Sequence, residues 1–315
     1  MNQWINARRQ SIGSLRHIIN MKRLVLFVSL SLVLLASFSC SRFQNAPTDS
    51  KDARYVVISP IYNEIIWALG AQDKVVGVDL STTYPPDVKK VQTVGYHRAL
   101  SAEGILSLHP TAIIHDNNIG PPQVVQQIQQ LNIPMKTFTA KNDSFDGTKA
   151  LIREMGAYFH KEARAEELCK TLDEQRAASL EKVKQFSDRP RVAVIHFGRA
   201  SNVYMVVGKG GGGDGGGVSQ MIELAGGQMA VENKGMQRME SPEILAQANP
   251  DVILLTDVGY DRLGSMDQIK ALPGVATSNA AKTGHIYRME ENVLNYFGPR
   301  SGENIEKVAA VIHQK

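Results

Sequence analysis

The chain carries SAEGILSLHPTAII at residues 101–114 and repeats the pattern without gaps as SPEILAQANPDVIL at residues 241–254. In each copy a helical pattern leads to a proline, and an apolar run rich in β-branched residues follows it. Serine, glutamate and proline fall on matching positions: Ser101 and Ser241, Glu103 and Glu243, Pro110 and Pro250. The repeat indicates two related halves, the alternative being a chance similarity between common helix–strand units.

A second repeat lies upstream of each copy. The segment NEIIWALGAQ (63–72) parallels SQMIELAGGQ (219–228), and both are apolar helical patterns that end at glycine. Short apolar runs, YVVISP (55–60) and RVAVIHFG (191–198), precede these segments and are typical of buried strands. Alternation of strand and helix predicts an α/β fold with two similar lobes, each built on a parallel sheet.

Residues 161–187 separate the halves and contain no glycine or proline. They predict one long helix of roughly 40 Å, which would join the two lobes rigidly. The expected organisation is a leader, a polar tether, a first lobe, connecting helices that include the long one, and a second lobe, at residues 1–40, 41–53, 54–145, 146–188 and 189–315.

The leader has the pattern of a secretory signal. Five basic residues and no acidic one precede an apolar run at 24–38, which is short for a transmembrane helix. Cys40 closes LLASFSC (34–40) and resembles a lipoprotein acceptor, although Ser37 stands where such sites usually have an aliphatic residue. We therefore expect a periplasmic or cell-surface protein, anchored to the membrane by a lipid on Cys40. Two alternatives are a soluble periplasmic form without the lipid anchor and translation that starts at Met21.

The charge balance argues against nucleic acid as a partner. The sequence has 35 basic and 31 acidic residues, and the leader holds five of the basic ones. The remainder is close to neutral and lacks the positive field that nucleic-acid binding requires. Cys169 is the one cysteine besides Cys40, so no framework of disulfides is expected.

Three stretches resemble one family. VGYHRALSAEGILSLHPTAII (94–114), with the following GPPQVVQQI (120–128), is similar to the first lobe of haem-transport binding proteins, which share a Gly-Tyr-x-Arg-x-Leu-Ser-x-Glu-Gly pattern. VYMVVGKGGGGDG (203–215) and NYFGPRSGENI (295–305) resemble the second lobe and the start of the C-terminal helix. The resemblance implies a helix-spined (class III) periplasmic binding protein that delivers haem to an ABC permease dimer with its ATPase, and that is not an enzyme.

The resemblance assigns the iron ligand to Tyr96. A phenolate is a hard oxygen donor suited to Fe(III), and tyrosine is a known haem ligand. A phenol ionises at neutral pH only with help from the metal and a nearby cation. Arg98 is the expected cation, because in an extended segment it would lie on the same side as Tyr96 and could bind the phenolate or a propionate.

Histidines are candidates for a second iron ligand. His196 ends the apolar run 191–197, and in some relatives a histidine of the opposite lobe completes the iron coordination; in others tyrosine acts alone. His196 is therefore either a ligand or a plain strand-end histidine. His115 also ends an apolar run and is a weaker candidate, whereas His97 is expected to point away from Tyr96.

A glycine-rich run occupies residues 208–217. It is no phosphate-binding loop of the Walker type, because Lys209 is followed by glycine and not by serine or threonine. Its backbone could lie against a flat porphyrin, with Lys209 reaching a propionate. The alternative is a linker without a binding role.

Glu103 and Glu243 occupy equivalent helix starts in the repeat. A carboxylate there stabilises the helix N-terminus. In related binding proteins, glutamates on the two lobes meet arginines of the permease, so docking is the second interpretation.

Two other functions fit part of the sequence. A binding protein for cobalamin or a ferric siderophore would share the lobes and the glutamate pair, but neither ligand calls for the Tyr96 and Arg98 motif. A nucleotide-dependent α/β enzyme would need a glycine fingerprint after the first strand, and YVVISPIYNE (55–64) lacks one.

Overall fold

The computed structural model of the protein describes residues 52–197, 204–207, 216–231, 236–238 and 243–314. The leader, Cys40 and Lys209 lie outside the described residues. Within the described ranges no helix is both long and apolar enough to span a bilayer.

The first lobe is built on a five-stranded parallel sheet with the order β3-β2-β1-β4-β5. Its strands are β1 (Tyr55–Ile58), β2 (Val75–Val78), β3 (Gln92–Thr93), β4 (Ala112–His115) and β5 (Met135–Lys136). The central pair β1 and β4 is buried along its whole length, in the register Tyr55↔Ala112 to Ile58↔His115. Burial on both faces explains why these strands are continuous apolar runs and do not alternate with polar residues.

Serine side chains cap two of the three helices of the first lobe. They are α1 (Pro60–Ala68), α2 (Ala102–Leu106) and α3 (Pro122–Gln130). Ser59 caps α1 by accepting from the amide of Tyr62, and Ser101 caps α2 by accepting from the amide of Gly104. Single 3₁₀ turns at Gln72–Lys74 and Pro86–Lys90 flank β2.

Two helices connect the lobes, and a third lies along them. They are α4 (Phe145–Tyr158), α5 (Glu162–Val183) and, at the C-terminus, α12 (Ser301–Ile312). The start of α5 contacts the first lobe, where Arg164 Nε donates to the carbonyl of Ala68 at 3.0 Å. Near its end, Lys182 pairs with Glu306 of α12 at 2.7 Å. The predicted long helix is confirmed, although at 22 residues it spans about 33 Å and is shorter than expected.

The second sheet has the order β11-β10-β6-β7-β9, with β8 also paired to β6. Its strands are β6 (Arg191–Phe197), β7 (Tyr204–Val207), β8 (Gln228–Met229), β9 (Met236–Arg238), β10 (Val252–Thr256) and β11 (Ile286–Met289). The parallel core predicted from the repeat is confirmed in β8, β6, β10 and β11. Strands β7 and β9 add an antiparallel extension that the repeat did not indicate. Few residues separate β6 from β7, and a parallel return would need a longer crossover, so β7 runs antiparallel to β6.

The remaining helices cover the second sheet. They are α6 (Gly216–Leu224), α7 (Glu243–Ala248), α8 (Asp257–Leu263), α9 (Met266–Lys270), α10 (Asn279–Thr283) and α11 (Glu291–Asn295). The apolar core between this sheet and its helices includes Ile195, Leu245 and Ile253, all fully buried. A matching core in the first lobe includes Val56, Ile105 and Ile113. Helices α2 and α7, which carry the repeated sequence, therefore have the same place in both lobes.

Candidate functional site

The carboxyl ends of the parallel strands of both lobes meet. Asn292, just after β11, donates from Nδ2 to Thr83 Oγ1, just after β2, at 3.0 Å. Ligands of open parallel α/β sheets bind beyond the carboxyl ends of the strands. The segments that follow β2, β3 and β4 in the first lobe and β6 and β11 in the second are therefore the candidate site.

Tyr96 lies on a tight turn beyond β3. Gly95 before it has φ of +99°, a conformation that side-chain-bearing residues rarely adopt, and the amide of Ala99 closes the turn on the carbonyl of Tyr96 at 2.8 Å. The Tyr96 side chain is half-buried. Among the described residues its hydroxyl has no hydrogen-bond partner, so the oxygen is available to a ligand.

The turn overturns two local expectations. The segment is not extended, so Arg98 is not placed beside Tyr96 by strand alternation; its Nε donates to Asn118 Oδ1 at 2.9 Å. The expectation that His97 points away from Tyr96 is also wrong, since the two ring centroids are 4.3 Å apart with planes tilted by 52°. Both differences arise because the chain reverses at residues 96–99.

Three polar residues that the sequence reading missed surround this turn. Ser81 Oγ lies 2.9 Å from His97 Nδ1, and Asn118 Nδ2 lies 3.4 Å from His97 Nε2. The buried Asp79 accepts from the amide of Ser81 at 2.9 Å and from the hydroxyl of Thr82 at 2.7 Å. Their signal was present in the sequence, because all three lie within three residues of the apolar runs that form β2 and β4, and ligand sites of this fold class lie at such strand ends.

His196 is at the carboxyl end of β6, in the lobe opposite Tyr96, as expected. Its Nδ1 is buried and lies 3.8 Å from Glu291 Oε1, which is too long for a hydrogen bond. No described residue gives this nitrogen a hydrogen-bond partner. Asn292, next to Glu291 in sequence, makes the contact to Thr83, so this end of the second lobe adjoins the segment that follows β2 in the first.

His115 is buried at the end of β4 and faces elsewhere. Its Nδ1 accepts from the amide of Asn117 at 3.2 Å, and burial lowers the pKa of the ring below its ordinary 6.5. It lines a groove of about 510 Å³ with Asn117, Ile119, Val125 and Met135, among others. Neither Tyr96 nor Arg98 lines that groove, so the structure does not bring His115 together with them.

Glu103 and Glu243 lie in the first turns of α2 and α7 and are exposed. Ser101, and not Glu103, caps α2 with its side chain. Both carboxylates are therefore on the surface at equivalent places of the two lobes.

A buried ion pair holds the first lobe to the start of α12. Arg300 donates from Nε and Nη2 to the two carboxylate oxygens of Glu64 at 3.1 and 2.9 Å, and its guanidinium lies 3.5 Å from the ring centre of Tyr84. Burial acts to lower the pKa of Arg300, but the hydrogen bonds to Glu64, its negative charge and the nearby Tyr84 and Glu290 together outweigh burial, and the net shift is upward. No sequence pattern indicated this pair, whose members are 236 residues apart.

Comparison with known proteins places these features in a family. Residues 56–293 match the family described as periplasmic binding protein. The structure is similar to the periplasmic heme-binding protein RhuT from Roseiflexus sp. RS-1, with a TM-score of 0.74, 33% identity, and 83% of this chain and 98% of that one covered.

Two curated relatives carry different descriptions. The uncharacterized ABC transporter substrate-binding lipoprotein YvrC of Bacillus subtilis is 25% identical over 86% of this chain and 83% of its own length. A cobalamin-binding protein of Halobacterium salinarum is 26% identical over 84% of this chain and 70% of its own length. Because the family match spans most of both lobes, the chain belongs to the periplasmic binding protein family, which is not enzymatic.

Proposed function

We propose that the protein is the substrate-binding component of an ABC importer for haem, and that Tyr96 binds the ferric iron. One observation carries the proposal: Tyr96 is half-buried on the turn after β3, at the end of the first sheet where ligands of this fold class bind, and its hydroxyl has no hydrogen-bond partner among the described residues. The likeness to the heme-binding RhuT, at 33% identity over nearly all of that chain, supports it.

The chemistry of the site suits ferric haem. A phenolate oxygen is a hard donor that prefers Fe(III), so reduction of the iron or protonation of the oxygen would weaken the bond. Arg98 supplies a cation two residues away that can bind the phenolate or a propionate, and Lys209 is proposed for the other propionate. His196, across the cleft, is proposed as the sixth iron ligand; its buried Nδ1 has no hydrogen-bond partner among the described residues.

The partners follow from the same proposal. Glu103 and Glu243 present one carboxylate on each lobe to the permease dimer, which would fix the orientation of docking more than it adds affinity. The resemblance of the leader to a lipoprotein signal supports a lipid anchor on Cys40 at the outer face of the membrane, and the relative YvrC is described as a lipoprotein.

Cobalamin is the second candidate, because one relative is described as a cobalamin-binding protein. Its cobalt is already held in a corrin with its own lower ligand, so it has no need of a phenolate. A ferric siderophore would usually require several cleft arginines. The Tyr96 turn is the feature that favours haem over both.

Titration of the purified protein with haemin and, separately, with cyanocobalamin tests the choice. We expect tight binding of haemin with an absorption spectrum typical of a phenolate ligand, and no measurable binding of cyanocobalamin. A protein that stays colourless with haemin but binds cyanocobalamin would overturn the proposal.

A further inference from the structure

The side chains behind Tyr96 form a hydrogen-bond chain that ends at Ser81, whose amide donates to the buried carboxylate of Asp79 at 2.9 Å. Arg98 Nε lies 2.9 Å from Asn118 Oδ1, Asn118 Nδ2 lies 3.4 Å from His97 Nε2, and His97 Nδ1 lies 2.9 Å from Ser81 Oγ. Asp79 Oδ2 lies 3.7 Å from the same His97 nitrogen. The side chain of Asp79 is 0% exposed and that of His97 is 12% exposed, so the inner end is fixed in the protein interior.

The chain has one consistent direction. A guanidinium N–H can only donate, so Asn118 meets Arg98 with its carbonyl oxygen and faces His97 with its NH₂ group. His97 Nε2 must then accept, which leaves the proton on Nδ1, where it donates to Ser81 Oγ with the Asp79 carboxylate behind it. Each donor meets an acceptor, so the chain selects one tautomer of His97 and one orientation of the Asn118 amide.

The His97 ring also supports Tyr96. The two rings are in contact at 4.3 Å between centroids, and both His97 nitrogens are held by the chain. The backbone adds a second restraint, because the amide of Gly120 donates to the carbonyl of His97 at 2.8 Å and the amide of Leu100 donates to the carbonyl of Gly120 at 3.0 Å. Both hydrogen bonds of Gly120 therefore hold the turn, at His97 and at Leu100, to the segment after β4.

We propose that His97 is a positioning residue, which holds the Tyr96 ring and, through Asn118, the Arg98 guanidinium in the orientation that receives the ligand. The proposal rests on haem binding by Tyr96. Its physical basis is preorganisation: the orientation of both groups is set before the ligand arrives by hydrogen bonds that start at Ser81, whose amide is held by the buried Asp79, so binding costs little ordering of side chains.

Four variants test this role by haemin titration and by the visible spectrum of the bound haem. His97→Ala removes the ring and breaks the chain, and we expect about tenfold weaker binding, from two lost hydrogen bonds, with a weakened phenolate charge-transfer band. His97→Gln can both accept and donate and should recover part of the affinity and the band. Asn118→Ala leaves the ring in place, removes the hydrogen bond from Arg98 Nε to Asn118 Oδ1, and should weaken binding roughly threefold. His285→Ala, in the second lobe, is the matched control and should equal the wild type.

The outcomes separate this proposal from the one on which it rests. Failure of the wild type to bind haemin would overturn haem binding and the positioning role together. A wild type that binds, with affinity and spectrum unchanged in both His97→Ala and Asn118→Ala, would overturn the positioning role alone. Thermal unfolding of each variant shows whether a loss of affinity is a loss of folding, and if His97→Ala does not fold, the result for Asn118→Ala decides.

Discussion

The ion pair between Glu64 and Arg300 should contribute strongly to the stability of the two-lobed structure. The carboxylate side chain is 7% exposed and the guanidinium side chain 13% exposed, and two charged hydrogen bonds join them. Glu64→Gln keeps the shape of the side chain but removes its charge, so Arg300 stays buried without a counter-ion. Breaking a buried pair in this way costs about 3–5 kcal/mol.

The remaining amide oxygen of the glutamine can still accept one bond from Arg300, so we expect the lower end, about 3 kcal/mol. For a chain of this size that loss corresponds to a decrease in Tm of roughly 6–12 °C. Urea unfolding followed by circular dichroism, with thermal unfolding in parallel, measures both quantities. Glu306→Gln is the matched control, because its partner Lys182 is 57% exposed and Glu306 is 47% exposed, and it should cost less than about 1 kcal/mol.

Replacing both Glu64 and Arg300 shows whether the stability lost in Glu64→Gln comes from an unpaired buried charge or from a lost contact. In the double variant Glu64→Met and Arg300→Met no charge is buried, and most of the stability should return. If Glu64→Gln destabilises the protein no more than Glu306→Gln does, the pair does not have the assigned role, and the reasoning from burial is wrong.

Two further predictions concern single side chains. Burial lowers the pKa of His115, so the unfolded chain takes up its proton near 6.5 before the folded one does. The free energy of unfolding should therefore fall as the pH decreases below about 6.5 and level off below the folded-state pKa. Urea unfolding at successive pH values measures this dependence, which should be weaker in His115→Gln. An identical pH profile in the variant and the wild type would contradict the assignment. Leu80 is 47% exposed and its amide donates to the carbonyl of Gly95 at 2.8 Å, next to Tyr96. Leu80→Ser should leave Tm unchanged and weaken haemin binding several-fold in titration, because apolar area against the porphyrin is lost; equal affinity would place Leu80 outside the site.

Periodicity and repetition were sufficient to predict the two parallel sheets and the long helix, but not the antiparallel extension by β7 and β9. The apolar runs 55–58, 112–115 and 252–256 became buried parallel strands because strands buried on both faces need continuous apolar sequence. The segment 162–183 became a helix because it contains strong helix formers and no breaker. These features depend on local sequence, which is why they could be read without the structure.

The geometry around Tyr96 could not be read in the same way. Its turn depends on the positive φ of Gly95 and on bonds from Gly120 and Asn118, which approach only when β4 lies beside β1. The Glu64 and Arg300 pair likewise forms only when α1 and α12 come together in the folded protein. Such contacts are properties of the tertiary structure, and no local pattern marks them.

The most direct test of haem binding by Tyr96 is the absorption spectrum of the protein with one equivalent of haemin, recorded for the wild type, Tyr96→Phe and the control Tyr287→Phe. Tyr287 lies in β11 of the second lobe. We expect a phenolate-to-iron charge-transfer band in the wild type and in Tyr287→Phe, and its loss with much weaker binding in Tyr96→Phe. The same band and affinity in Tyr96→Phe would contradict the central claim.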